Sequence, residues 1–439
     1  LTSASDALFA EGRRLADAGD LHGAAEAFEQ GLASGPDDPA IRTRLALIQR
    51  SLGDLEPALA NFERVLAMAP SDVSRINLAC ALDEAGDSPR ALNLLDASQE
   101  MLKASAEARW MAARVWLRAG DYRRGLEMYE SRWQLGRPEL QLRSCTAPLW
   151  RGEAVTGARL LVWHEQGLGD TLLGLRFAAL AQARGLHVIA EVQATLRELA
   201  ASMPGVKAVV TPDKPPPEFD FHIPTLSLPH ALGIEVPQAG LGLPCITPPA
   251  ARTTKWRTLL PRGKSFRIGL AWRSTIYRDN PHIAQSKLAR SLPLASLAPF
   301  AALPNVELVS LQVAHGSEET GRTPGMALTD LTSHIDDMAD TAALMEQLDL
   351  VVAIDTSVAH LAGGMGVPLF VLLPNDADWR WVAGDVESPW YPAARTFRQS
   401  MRNDWRAPVA AAAAAAGKLA AARAPAPYLK RWFGSNKGG

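Results

Sequence analysis

Residues 348–374 read LDLVVAIDTSVAHLAGGMGVPLFVLLP, and this stretch decides the fold of the longer, C-terminal part of the chain. Residues 350–354 and 369–373 are apolar runs too short and too β-branched for helices, each bounded by turn residues, so both are expected to be buried strands. Between them stand a tight turn at Asp355-Thr356-Ser357, a short helix carrying His360, and a break at Gly363-Gly364. Strand, turn, helix and strand make the unit of a parallel α/β sheet, whose ligands bind at the carboxyl ends of the strands. Asp355, Thr356, Ser357 and His360 fall at that end. A helix start presents backbone N–H groups and a positive dipole end, which suit an anion. A simple helix cap by Asp355 or Thr356 would leave the same sequence.

Working outward, the same alternation recurs twice. Residues 159–163 (RLLVW) are expected to be a strand that runs through HEQGLGDT into a helix, followed by strands at 187–192, 206–210 and 220–223 and helices at 195–203 and 227–232. A proline-rich crossing segment spans 234–263. A second alternation begins with FRIGLAW at 266–272 and continues through a helix at 294–301, a strand at 306–311 and a helix at 341–347. Two Rossmann-like domains joined by a linker imply a cleft between them, and three loops are expected to face it. The first is Gln166-Gly167-Leu168-Gly169-Asp170, whose glycines let backbone approach a ligand. It is not a GxGxxG fingerprint and implies no nicotinamide cofactor. Asp170 there is a candidate general base, and equally a helix cap. The second loop, residues 272–294, offers Arg273, Arg278, Lys287 and Arg290 to a phosphate; a solvated charged loop has the same composition. The third is the turn at Asp355. Beyond it, residues 376–392 (DADWRWVAGDVESPWYP) hold Trp379, Trp381, Trp390 and Tyr391, which either stack on a base or sugar or pack the domain.

Before residue 139 the pattern is different. Gly-Asp recurs at Gly19-Asp20, Gly53-Asp54, Gly86-Asp87 and Gly120-Asp121, about one helical hairpin apart each time. A small residue precedes each pair (Gly12, Ala46, Ala79, Ala113), another follows it (Ala24, Ala58, Ala91, Gly125), and a large one comes four residues later (Phe28, Phe62, Leu95, Tyr129). This resembles the tetratricopeptide repeat, four units of it, with the fourth atypical after Tyr129 at Arg132 and Trp133. Such arrays form a concave surface that holds a protein segment, or serve only as a scaffold.

Composition narrows the partners. The 439 residues carry a formal net charge of −2, with 47% hydrophobic and 21% charged residues, an ordinary globular balance. No basic stripe suggests a nucleic-acid binder, and no apolar run is long enough for a membrane span. The N-terminal residues lack the basic-then-apolar order of a signal peptide, and the three cysteines are distant and odd in number, so a cytoplasmic location is expected. The nine histidines are scattered without a ligand cluster, so no metal is expected.

WHEQGLGDT, DTAALMEQLDLVVAIDTSVAHLAGGMGVP and DWRWVAGDVESPWYP together resemble bacterial tetratricopeptide-repeat proteins with a GT-B glycosyltransferase domain of the heptosyltransferase-like kind. The pairing of repeats with that domain is also similar to bacterial O-GlcNAc transferases and flagellin-modifying transferases. The resemblance implies an α plus α/β chain: repeats at 1–140, a connector at 141–158, an acceptor-side Rossmann-like domain at 159–250, a nucleotide-sugar-side domain at 251–405, and a terminal helix and loose tail at 406–439. It implies that the helix crosses back to the first domain. It gives Asp170 the role of activating the acceptor. Gln166, Gly167, Gly169, Asp355, Thr356, Ser357 and His360 would bind the donor, with Arg273, Lys287 and Arg290 competing for a phosphate contact. The implied activity moves a sugar from a UDP-, GDP-, ADP- or CMP-activated donor to a protein or glycan, without metal or other cofactor, the repeats recruiting the protein acceptor. A non-catalytic repeat adaptor with a degenerate nucleotide-binding domain is the alternative.

Overall fold

The computed structural model describes residues 4–137, 140–236, 243–274, 288–381 and 388–422. The chain forms two compact units. One takes the residues through Gln141 together with a segment that begins at Asp378; the other takes the rest.

The first unit is built of helix pairs: α1 (Ala4–Asp17), α2 (Leu21–Ser34), α3 (Pro39–Leu52), α4 (Leu55–Met68), α5 (Asp72–Glu84), α6 (Ser88–Asp96), a short α7 (Gln99–Ala104), α8 (Ala106–Arg118) and α9 (Tyr122–Tyr129). The Gly-Asp pairs explain the turns within each pair. Gly19, Gly53, Gly86 and Gly120 all have φ between +83° and +91°, the left-handed conformation that ends the first helix. The aspartate that follows is the N-cap of the second helix. The Asp20, Asp87 and Asp121 carboxylates accept from the backbone N–H of Gly23, Arg90 and Arg124; Asp54 makes no such bond. Small residues let the helices close on the large ones: a β-carbon at Gly12 would stand 2.6 Å from the Phe28 ring. The third unit departs from the pattern, because α6 stops at Asp96 and α7 follows as an extra short helix.

Past Tyr129 the chain continues as a 3₁₀ turn, Glu130–Gln134, in which the Arg132 side chain is fully buried. Its guanidinium carbon lies 4.5 Å from the Tyr129 ring centroid and 4.2 Å from that of Trp133. The segment that begins at Asp378 completes this core: the Trp379 ring stands edge-on to Tyr129 at 5.6 Å, and Trp379 and Trp381 are both buried.

The second unit holds two parallel sheets among the described residues. The first, in order β3-β2-β1-β4, comprises β1 (Arg159–Trp163), β2 (His187–Glu191), β3 (Val206–Val210) and β4 (Phe221–Pro224). The second, in order β10-β9-β8-β5-β6-β7, comprises β5 (Phe266–Ala271), β6 (Val306–Ser310), β7 (Leu328–Thr329), β8 (Leu350–Ile354), β9 (Leu369–Leu373) and β10 (Ala394–Arg398). The central strands β8 and β9 are buried at every residue, as continuous apolar runs in a sheet covered on both faces must be. The short edge strands β7 and β10 carry no such run, and the sequence did not announce them. The connector joins the first sheet: Leu149 bridges His222 beside β4, Trp150 is buried, and Arg143 pairs with Glu191.

Two expectations are corrected. The terminal helix, Arg406–Ala421, does not cross to the first sheet. Its Val409, Ala412, Ala413 and Ala416 pack into the second sheet's core with Phe370, Leu372 and Phe397, because an alanine face lets the helix lie close to the strands. The tail beyond it, residues 423–439, lies outside the described residues. Nor do Gly363-Gly364 end the helix after β8. It runs from Ser357 to Met365 and stops at Gly366, whose φ is +69°.

The crossing helix Ala250–Leu259 is tied to the helix Met338–Met345 by Asp340, which has no exposed surface. Its carboxylate accepts from Trp256 Nε1 at 2.8 Å, Arg252 Nη1 at 3.0 Å, Lys255 Nζ at 3.1 Å and the Asp336 N–H at 3.1 Å. Burial alone would raise the Asp340 pKa; these donors outweigh it and hold it below the ordinary carboxylate value. Asp340→Ala removes the acceptor shared by Trp256, Arg252, Lys255 and the Asp336 N–H, while Arg252 keeps Glu198 and Asp337 and Lys255 keeps the His334 carbonyl, so it is expected to cost about 1–3 kcal/mol. Because the folded pKa is the lower one, that contribution is complete above the unfolded pKa of about 3.9 and fades as pH falls through the folded value. Urea unfolding of both proteins at pH 7 and pH 3 checks this: the gap between them narrows at pH 3, and a gap below about 1 kcal/mol at pH 7 removes the clamp.

Candidate functional site

The turn Asp355-Thr356-Ser357 stands at the carboxyl end of β8, where the strand gives way to the Ser357–Met365 helix. Thr356 is the N-cap, with extended backbone, and its side chain makes no capping bond; Thr356 Oγ1 donates instead to the Ile354 carbonyl at 3.3 Å. Thr356 and Ser357 are half-buried. Asp355 and His360 are buried, at 5% and 4% exposure. Arg290 Nη1 donates to Asp355 Oδ2 at 2.8 Å, and His360 Nε2 lies 3.8 Å from Asp355 Oδ1. His360 Nδ1 is 2.9 Å from the Tyr391 hydroxyl.

The glycine loop of the first sheet comes to this turn. A β-carbon at Gly169 would stand 2.5 Å from His360 Cδ2, so only glycine lets the Leu168–Leu175 helix approach the Ser357–Met365 helix at this point. Asp170 is half-buried at the third position of that helix, and its Oδ2 accepts from the Gly167 N–H at 2.8 Å. Gly167 and Gln166 are exposed. Gln166 has φ +56°, a left-handed conformation uncommon for a residue with a side chain and one that gathers at functional loops.

The three candidate cations separate. Arg290 reaches the turn. Arg273 does not: its Nε donates to Glu319 Oε1 at 2.7 Å, and its side chain covers Gly316. Lys287 lies outside the described residues, as does Arg278. Asp355 thus faces Arg290 on one oxygen and His360 on the other. The aromatic run also divides. Trp379 and Trp381 belong to the core of the repeat unit. Trp390 and Tyr391 are buried, Tyr391 beside His360 and Trp390 edge-on to Phe177 at 6.4 Å.

Arg176 was not among the sequence candidates. It is 2% exposed, its Nη1 donates to the Trp390 carbonyl at 2.7 Å, and its guanidinium lies 5.0 Å from the Tyr391 ring centroid. Burial pushes its pKa down. The signal was a lone cation inside the apolar run LLGLRFAAL. Beside the loop, Glu165 is buried and accepts from the Leu226 N–H at 3.0 Å. His164 is half-buried, and burial lowers its pKa. Among the described residues, no group of three or more His, Cys, Asp or Glu is arranged to hold a metal ion, and no helix is long and apolar enough to cross a membrane.

A family model of the tetratricopeptide repeat matches residues 9–73 and 76–133. Protein FlbA of Caulobacter vibrioides is 25% identical over 423 residues, spanning 87% of this chain and 67% of that protein. Among solved structures, a glycosyl transferase family 9 protein from Veillonella parvula matches with TM-score 0.42 and 12% identity, covering 57% of this chain and 88% of that one. The E. coli ADP-heptose lps heptosyltransferase II matches with TM-score 0.42 and 14% identity, covering 60% and 98%. Residues 9–133 are a tetratricopeptide-repeat region, followed by an α/β region with two parallel sheets.

Proposed function

We propose that the chain is a glycosyltransferase that moves a sugar from a nucleotide-activated donor to a protein or glycan acceptor recruited by the repeats. One observation carries the reading: the glycine loop after β1 lies against the turn after β8, as Gly169 on His360. It supports a site shared by two parallel sheets at their strand ends. The donor phosphates sit at the start of the Ser357–Met365 helix, where the N–H groups of Ser357 and Val358 precede the first intrahelical bonds, with the Thr356 and Ser357 hydroxyls, His360 and Arg290 around them. The acceptor hydroxyl attacks the anomeric carbon, the bond from that carbon to the phosphate oxygen breaks, and the nucleotide leaves with the electron pair. Helix dipole and Arg290 stabilise the charge on the leaving group, and Asp170 takes the hydroxyl proton.

The Asp170–Gly167 bond favours a second reading of that one residue, as a helix cap alone. A melting-temperature panel of UDP-, GDP-, ADP- and CMP-sugars tests the donor site. One class is expected to raise the melting temperature by several degrees, since ligand at a hundredfold above Kd stabilises by about 2.7 kcal/mol. Arg290→Gln removes a charge-assisted contact and is expected to weaken that ligand about tenfold or more. No shift with any donor class, or equal binding by Arg290→Gln, overturns the assignment.

A further inference from the structure

We propose that Tyr391 is a positioning residue for His360: its hydroxyl donates to Nδ1, which leaves the ring proton on Nε2 and presents that N–H at the start of the Ser357–Met365 helix. The inference deepens the donor-site reading and rests on it for its functional consequence.

The groups around the two side chains favour one direction for the contact. Tyr391 is 1% exposed, and its oxygen is 2.9 Å from His360 Nδ1. The Arg176 guanidinium lies against the same side chain, 5.0 Å from its ring centroid. A guanidinium is a donor only, so beside it the phenol oxygen is favoured as an acceptor, with its own O–H turned toward His360 Nδ1. On the far side of the imidazole, Nε2 faces Asp355 Oδ1 at 3.8 Å. An ionised carboxylate accepts and cannot donate, so the ring nitrogen beside it is favoured as N–H. Both ends of the chain Arg176–Tyr391–His360–Asp355 thus select one tautomer.

Packing holds Tyr391 in place for this. A β-carbon at Gly363 would collide with Tyr391 Cγ, so the glycine inside the helix makes room for the ring. The adjacent Gly364 does the same for Ile246, 2.5 Å from its would-be β-carbon. The Tyr391 N–H donates to Ser388 Oγ at 3.3 Å, and Arg176 grips the preceding Trp390 carbonyl. Of the glycine pair that the sequence offered as a helix break, Gly363 is a seat for the residue that orients His360.

Tyr391→Phe keeps the ring on Gly363 and removes only the hydroxyl. Long-range ¹H–¹⁵N correlation on the histidine-labelled 439-residue chain reads the tautomer, with the His360 signal identified by its loss in His360→Gln. The wild type is expected to show protonated Nε2 and a hydrogen-bonded, unprotonated Nδ1. In Tyr391→Phe the Nδ1 resonance moves, and affinity for the nucleotide-sugar that shifts the wild-type melting temperature falls roughly threefold to tenfold, the effect of one hydrogen bond. A protonated Nδ1 in the wild type overturns the proposal without need of any variant, as do ring-nitrogen shifts unchanged by Tyr391→Phe. If no nucleotide-sugar binds the wild type, the donor-site reading fails while the tautomer measurement still decides the role of Tyr391.

Discussion

Asp170→Asn is expected to lower sugar transfer by about 10²- to 10⁴-fold at saturating donor, the usual range for a lost general base. The melting temperature and donor affinity should barely change. Asp170 Oδ2 accepts from the Gly167 N–H at 2.8 Å, and an asparagine side-chain oxygen can accept the same bond. The substitution therefore separates two roles that one carboxylate holds: the cap survives, and the proton acceptor does not. Steady-state transfer measured beside a melting curve distinguishes them. Near-wild-type turnover would remove Asp170 from the chemistry and leave it a capping residue. Glu165 and His164, on the same loop, would then be the next carboxylate and imidazole to replace. Stability lost together with turnover would mean that the cap, and not the base, had been disturbed.

Trp379→Ala is expected to destabilise the repeat unit by about 3–5 kcal/mol, as for a fully buried aromatic side chain. Trp379 is 3% exposed and stands against Tyr129, which in turn packs at 5.0 Å on Trp110. The Arg380 guanidinium covers its other face at 4.5 Å, and Arg380 Nη1 pairs with Asp378 Oδ1. Urea unfolding of the full chain reads the loss, and Trp379→Phe, which keeps most of the aromatic area, should recover a large part of it. A loss below about 1 kcal/mol would mean that the Asp378 segment is not part of that core. The result also bears on the repeats' role. Deleting residues 5–138 to test acceptor recruitment would strip Trp379 and Trp381 of the core they complete. Substitutions on the exposed face of the helices are therefore the cleaner test of recruitment.

The repeats were legible because their grammar is local. A left-handed glycine, an aspartate cap and a small residue facing a large one recur within a single hairpin, and each works through the backbone of its own neighbours. Strands β8 and β9 were legible for a related reason. Central strands of a parallel sheet are buried on both faces, and their unbroken apolar runs name them residue for residue. The edge strands β7 and β10 were not, since pairing on one side demands no such run.

Partnership across long separations left no mark in the sequence. Arg273, Lys287 and Arg290 were equivalent candidates for one contact. Arg290 is 65 residues from Asp355 and reaches it, whereas Arg273 is 46 residues from Glu319 and is taken up there. Which cation serves the turn depends on how β5, β6 and β8 are ordered in the sheet, and residue type carries no information about that order. The same holds for Gly363 and Gly364. Glycine in a helix reads as a break until the side chains that need the space are known, and Tyr391 and Ile246 are brought there only by packing. DWRW could be read as a stacking platform or as packing, because exposed and buried tryptophans are the same letters. The sequence by itself determined the repeat array, the α/β alternation and the loops that carry the candidate chemistry. The tertiary structure decided which side chains in those loops meet, because burial and hydrogen-bond partnership are set by contacts between segments distant along the chain.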